Sequence, residues 1–394
     1  MGGDGALHPQ GQRLELAVGD PLDLAACSNG KPVSPLNALT WRDRSSYHPT
    51  GPRNWKGPDA MSRTLKWQVV EGKPAITQVA GLTEMTQVRA WLEDVRPQLA
   101  AALKEYGAIY LRGLPMATIE DFAQIRDALI SERTPYREKT TPRSRLGDDV
   151  FSSTDLPAAQ SIRMHNENSY TLTFPGRLLF GCLIAPSQGG ATPVADCRKV
   201  LDALPDQVVE KIRTAGWRLS RSYSEHISTD WQTAFATDDV AEVARYCADN
   251  LIGHQWYDDG TLRTSQIRPG IITHPSSGEE VWFNHLLFWN EWALEEDLRE
   301  ALVDEFGRDG LPFNTEFGDG AALSNEDLQA IQAAYDAATV RETWQPGDVM
   351  LVDNILTAHG RDPFRGDRKI VVAMGDPVEL SECRPTVEPA PAFA

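Results

Sequence analysis

Arg163-Met164-His165-Asn166-Glu167-Asn168-Ser169 decides the reading of this chain. It offers an imidazole and a carboxylate two residues apart. On an extended strand, residues i and i+2 point to the same face, so His165 and Glu167 can converge on one point. A second imidazole would complete two neutral donors and one anionic donor on one face of a metal ion, with the opposite face open.

The second imidazole is sought among eight histidines. The best candidate is His359, in Leu351-Val-Asp-Asn-Ile-Leu-Thr-Ala-His359-Gly-Arg-Asp-Pro. It follows a hydrophobic strand and a polar turn and precedes a glycine, which places it at a sheet end. Read alone, it is equally well a hydrogen-bonded structural histidine. Together with His165 and Glu167 it makes the facial set used by non-haem Fe(II) oxygenases. Further on, Arg368 opens the strand Arg-Lys-Ile-Val-Val-Ala-Met. An arginine entering a buried strand is costly unless paired, and a carboxylate held by both arms of the guanidinium is its natural partner. Arg361 and Arg365 are nearer rivals, expected to lie in a turn and to meet water.

Around these residues the chain is globular in composition: 394 residues, 41% hydrophobic and 24% charged. No apolar run reaches the roughly 20 residues of a membrane span, and Met1-Gly-Gly-Asp-Gly-Ala has no signal-peptide core. Five scattered cysteines, with no CxxC pair, fit a reducing compartment and argue against a thiolate metal site. A cytoplasmic location is expected. The net charge of -18 disfavours nucleic acid, and it disfavours an acidic protein partner unless a local basic patch exists.

Residues 1–65 are rich in Pro, Gly, Asn and Ser and are expected to form an irregular arm, either a tail or a wrap around the core. The arm and its junction carry Arg42, Arg44, Arg53, Lys56, Arg63 and Lys66. The spacing of Val88, Trp91, Leu92, Val95, Leu99 and Leu103 predicts a helix over 84–105. Residues 107–113 read as a buried strand between glycines, and Thr118 caps a helix from Ile119. Residues 131–164 form a long polar loop of a kind that often carries function. Strands are expected at 177–185, 191–195, 217–223, 263–273, 280–284, 349–352 and 368–374. Helices are expected at about 197–214, 238–249, 292–306 and 325–338. Residues 66–378 then form one β-rich domain, with helices outside a sandwich of two sheets, and 379–394 form a C-terminal tail.

The blocks HNENSY, GGATPVAD, VWFN and WQPGDVMLVDNILTAHGRDPFRGDRKIVVAMG, taken together and in order, resemble the TauD/TfdA family of Fe(II)- and 2-oxoglutarate-dependent dioxygenases, most closely its SyrP-like branch. The resemblance spans about residues 105–376. It implies a double-stranded β-helix, or jelly roll. It implies His165, Glu167 and His359 as Fe(II) ligands, Thr192 on a 2-oxoglutarate carboxylate, and Arg368 on the distal carboxylate. Glu167 stands where Asp is commoner, keeping the charge and adding a methylene. The implied reaction consumes O2 and converts 2-oxoglutarate to succinate and CO2 while oxidising a substrate C–H bond. Related halogenases lack the carboxylate, so Glu167 points to hydroxylation.

The branch further implies an amino-acid-derived small-molecule substrate in specialised metabolism, such as antibiotic biosynthesis. That substrate is either free or tethered to a carrier protein, and the acidic net charge favours the free molecule. Candidate pocket residues are Asn168, Tyr170, Asn284 and His285, with Arg143 and Arg163 as anion clamps. Three rival readings stand beside this one. The same centre could desaturate, epoxidise or cyclise. The same ligands could hold zinc in a hydrolase, which would have no use for Thr192 and Arg368. A jelly roll could bind a ligand without catalysis.

Overall fold

The computed structural model describes residues 64–134, 143–153, 156–223 and 228–393. Residues 1–63 of the expected arm, with its basic residues up to Arg63, lie outside the described residues, as do 135–142 and 154–155 of the long polar loop.

The first helix runs Met85–Tyr106 and buries Val88, Leu92, Val95, Leu99 and Leu103, the stripe expected from their spacing. It ends at Gly107, whose φ of 71° is a conformation that costs a side-chain-bearing residue. The second helix, Ile119–Leu129, starts on a reciprocal Thr118–Asp121 capping box. Its Phe122 packs against the backbone at Gly181, where an added Cβ would come within 2.5 Å of the ring.

Ten strands position the site: β1 Ala108–Arg112, β2 Ile162–His165, β3 Thr173–Ile184, β4 Val194–Asp196, β5 Trp217–Tyr223, β6 Leu262–Arg268, β7 Phe313–Phe317, β8 Val349–Asp353, β9 Thr357–Arg361 and β10 Lys369–Glu379. The main sheet runs through β1, β8, β3 and β10 in that order. Facing it is a smaller sheet of Thr339–Val340, β4, β9 and β2. The chain alternates between the two sheets, from β2 to β3 to β4 and later from β8 to β9 to β10, which makes the core a jelly roll. Met350, Val352, Ile370 and Val372 meet Val194 of the smaller sheet and Trp344 between the sheets. Val349, Leu351, Val371 and Ala373 face the first two helices. Both faces of β8 and β10 are therefore buried, which is why their sequences read as continuous apolar runs rather than alternating ones.

A long insert between β4 and β8 carries the third sheet, in which β5 pairs with both β6 and β7. Several expected boundaries shift here. Pro205 divides the helix expected over 197–214 into Cys197–Ala203 and Asp206–Ala215. Pro269-Gly270 interrupts the strand expected over 263–273. Residues 379–393 are not a free tail. Leu380 and Cys383 are buried, the Thr386 N–H donates to the Ile271 carbonyl, and Ala390–Pro391 pairs with β6. Pro-rich composition concealed this, yet an edge strand tolerates a proline that a central strand does not. Among the described residues no helix is long and apolar enough to cross a membrane.

Candidate metal centre

Strand β2 ends at His165, and β9 pairs with it so that His359 lies directly opposite. The two imidazole centroids are 4.4 Å apart. Glu167 lies just past the end of β2, in a turn whose next residue, Asn168, has φ +54°. The carboxylate is thus aimed by a turn and not by strand alternation. That turn is held by Asn354, which is fully buried. Its side chain accepts from the Glu167 N–H at 2.7 Å and donates to the carbonyls of Glu167 at 2.9 Å and Pro175 at 2.7 Å. One donor atom from each of His165, Glu167 and His359 lies within 4.8 Å of the others, and all three residues are buried. Glu167 Oε2 is 3.6 Å from His359 Nε2 and 4.0 Å from His165 Nε2.

Burial pushes the His165 pKa down and that of His359 well below the ordinary imidazole value. His165 donates from Nδ1 to the Arg163 carbonyl at 2.9 Å, which leaves the Nε2 lone pair on the Glu167 side. Neutral imidazoles beside a carboxylate are the protonation state a divalent cation requires. Two nitrogens and one oxygen aimed at a common space, with no metal-like charge among them beyond Arg143, suit a borderline divalent ion such as Fe(II).

A cleft leads from this cluster past Phe180, Ser153 and Thr192 to Arg368. Among the described residues the Arg368 guanidinium meets neutral acceptors only: the Gly190 carbonyl at 3.0 Å, Ser153 Oγ at 2.8 Å and, at 3.4 Å, Thr192 Oγ1. Burial pushes its pKa down to about 10. Thr192 Oγ1 also accepts from Trp344 Nε1 at 3.1 Å. Gly190 permits this packing, because a Cβ there would lie 2.8 Å from Phe364 and 3.2 Å from Arg368 Cδ. The cleft therefore has donors for an anionic head at its Arg368 end. Arg361 does not meet water as expected. It is buried and donates to the carbonyls of Leu156, Pro157 and Gln160. Arg365 is exposed.

The remaining candidates separate. Arg143 donates to Glu167 Oε2 at 2.7 Å and lines the cleft. The His285 ring lies 5.1 Å from that of His165, tilted by 50°, and shares a 2.6 Å hydrogen bond with Ser169. Tyr170 meets His285 edge-on and donates to Asn168 Oδ1. Arg163 points away from Glu167, donating to the Ala293 carbonyl and to Gln332. Asn284 closes a turn, donating to the Gly270 carbonyl and accepting from the Leu286 N–H. Sequence reading missed Asn354, Ser153, Trp344, Phe288 and Trp289. Asn354 and Trp344 both lie in the block ending at β10, where a buried polar turn and a lone Trp before Gly347-Asp348 were the available signals.

A model of the family described as taurine catabolism dioxygenase TauD, TfdA family, matches residues 75–374. The chain belongs to the TauD/TfdA family. It is an Fe(II)- and 2-oxoglutarate-dependent dioxygenase. The dapdiamide synthesis protein DdaC of Enterobacter agglomerans is 36% identical over 310 residues, covering 79% of this chain and 94% of that protein. A clavaminate synthase-like protein of Arabidopsis thaliana is 27% identical over 288 residues, covering 70% of this chain and 83% of that protein. A solved putative alpha-ketoglutarate-dependent taurine dioxygenase from Burkholderia xenovorans is 14% identical, covers 81% of this chain and 96% of its own, and superposes with a TM-score of 0.44, too loosely to carry an argument.

Proposed function

We propose that this dioxygenase hydroxylates an unactivated C–H bond of a free, amino-acid-derived molecule in specialised metabolism. His165, Glu167 and His359 hold the iron, and Thr192 and Arg368 hold 2-oxoglutarate. The observation that supports this most is the pairing of two donor sets at the two ends of one cleft. Two imidazole nitrogens and a carboxylate oxygen converge at one end, and at the other a buried guanidinium donates, among the described residues, to neutral oxygens. A zinc hydrolase has no use for the second set.

The chemistry that iron, 2-oxoglutarate and O2 supply when bound is oxidation of the substrate, coupled to conversion of 2-oxoglutarate to succinate and CO2. The protein's part is placement and exclusion of water. Asn354 fixes the Glu167 turn. Arg368 and Thr192 fix the co-substrate's remote carboxylate, and Trp344 aims the threonine hydroxyl. Phe180 and Phe288 lie against the two histidine rings, on the side where water would otherwise enter. Arg143 orients the Glu167 carboxylate and presents a cation to any anion that enters. His285 and Tyr170 form a wall beside His165, whereas Arg163, Asn168 and Asn284 position backbone.

The amino-acid class draws on the SyrP-like motifs and on the relative named for dapdiamide synthesis. A free substrate, rather than a carrier-tethered one, fits the net charge of -18. The cysteines among the described residues, Cys182, Cys197, Cys247 and Cys383, are buried, in keeping with a cytoplasmic location. The test is to supply iron, 2-oxoglutarate and a panel of amino acids and N-acyl amino acids, then measure succinate formation and product mass. Succinate release with a product heavier by one oxygen, formed from a substrate without a C=C bond, supports hydroxylation, whereas the same gain only on unsaturated substrates assigns epoxidation. A product lighter by two hydrogens assigns desaturation or ring closure instead, and stimulation only by carrier-bound aminoacyl groups overturns the free-substrate reading.

A further inference from the structure

Arg221 lies on β5 with its side chain on the inner face of the third sheet, and it is only 8% exposed. Its neighbours in that sheet show what a buried arginine normally receives. Arg218 donates to Ser265 and pairs with Glu316. Arg268 donates to the carbonyls of Tyr170, Asn250, Leu251 and Ile267. Arg221 has neither kind of partner among the described residues. Its Nε is sealed from solvent with no acceptor. What it has is aromatic surface: the guanidinium carbon lies 4.6 Å from the centre of the Tyr223 ring and 4.7 Å from that of Phe313. Such contacts offset part of the cost of burying a cation, but they supply no hydrogen-bond acceptor.

Those rings lead to the metal centre. Phe313 stacks on Trp289 at 4.9 Å with planes 10° apart, and Trp289 stacks on His285 at 4.3 Å with planes 20° apart. His285 is 5.1 Å from His165. A column of three near-parallel rings thus separates the unpaired guanidinium from a proposed iron ligand. An extended chain advances about 3.5 Å per residue, so one amino acid does not reach from one end of the column to the other.

We propose that Arg221 anchors the remote carboxylate of an elongated substrate, an N-acyl amino acid or short peptide-like acid, whose oxidised carbon lies at the metal. This rests on the dioxygenase reading above and narrows its substrate class. The guanidinium supplies the paired donors that a carboxylate accepts.

The test uses the full-length protein and Arg221→Met, which keeps the side chain's bulk and removes its charge. Melting temperatures are measured with 2-oxoglutarate saturating the Arg368 end, against acetate, acetamide and N-acetyltriglycine at fixed ionic strength. Wild type should be stabilised by acetate and, at lower concentration, by N-acetyltriglycine, but not by acetamide. Arg221→Met should respond to none of them, and its unliganded melting temperature should equal or exceed that of wild type. A drop of several degrees in the unliganded variant would show that Arg221 is a packing element. Equal acetate shifts in both proteins, or no shift in wild type, would also overturn the proposal. Equal potency of acetate and N-acetyltriglycine would remove the elongated class. The visible absorption band of the anaerobic iron–2-oxoglutarate complex is recorded in parallel: its absence from both proteins sinks the dioxygenase reading, while the acetate response still decides the role of Arg221.

Discussion

The two ends of the central cleft are built on opposite principles. At the His165 end, two neutral imidazoles and a carboxylate converge, and their geometry comes from a cross-strand pair and an Asn354-clamped turn. At the Arg368 end, a buried cation donates, among the described residues, to neutral oxygens. The first set of donors suits a divalent cation and the second a carboxylate. The difference teaches that a site can be recognised by the ligand chemistry its buried polar groups share.

The largest expected effect lies at the metal end. His165→Ala or His359→Ala should weaken Mn(II) or Fe(II) binding by at least about 10²-fold while leaving far-UV circular dichroism intact. Turnover retained by either variant would remove the metal assignment. At the other end, Arg368→Gln should raise the 2-oxoglutarate Kd by roughly 30-fold or more, since removing one member of a buried charge pair costs at least about 2 kcal/mol. Arg365→Ala should leave that Kd unchanged, because Arg365 is exposed; the reverse result would mean that the wrong arginine carries the carboxylate.

A smaller effect sharpens the comparison within the metal end. Asn354→Ala should lower stability in urea by about 2–3 kcal/mol, since it strands buried backbone groups. It should also weaken metal binding roughly tenfold by releasing the Glu167 turn. A stability loss with unchanged metal affinity would make Asn354 structural only. The smallest effect concerns pH. Burial depresses the pKa of His165 and His359, so protons compete with metal only well below the ordinary value of 6.5. Mn(II) affinity should therefore stay flat from about pH 7.5 to 6.5. The apoprotein should lose stability as pH falls below 6.5, because the unfolded imidazoles take up protons first. An affinity falling through pH 6.5 as for an ordinary imidazole would break this account.

Most of the fold was legible because its signals are local. Periodic apolar residues gave the first helix, the Thr118 cap gave the start of the second, and the doubly buried strands read as apolar runs. The site was legible only in part. His165, Glu167, His359, Thr192 and Arg368 sit in dense motifs. Arg361 was misjudged because its three carbonyl partners come from the distant 156–160 segment. Arg221 and the Phe313–Trp289–His285 column were invisible because they join residues from separate strands and loops of the insert. Residues 379–393 were misread because composition does not report pairing with β6.

The central claim is that iron binds at the His165 end and 2-oxoglutarate reaches from it to the Arg368 end. The most direct measurement is an anaerobic titration of the apoprotein with Fe(II) and then 2-oxoglutarate, following visible absorption. A metal-to-ligand charge-transfer band that grows with 2-oxoglutarate in wild type, is absent from His359→Ala and requires far more 2-oxoglutarate in Arg368→Gln is the predicted result. No band in wild type, or a band indifferent to both substitutions, would contradict it.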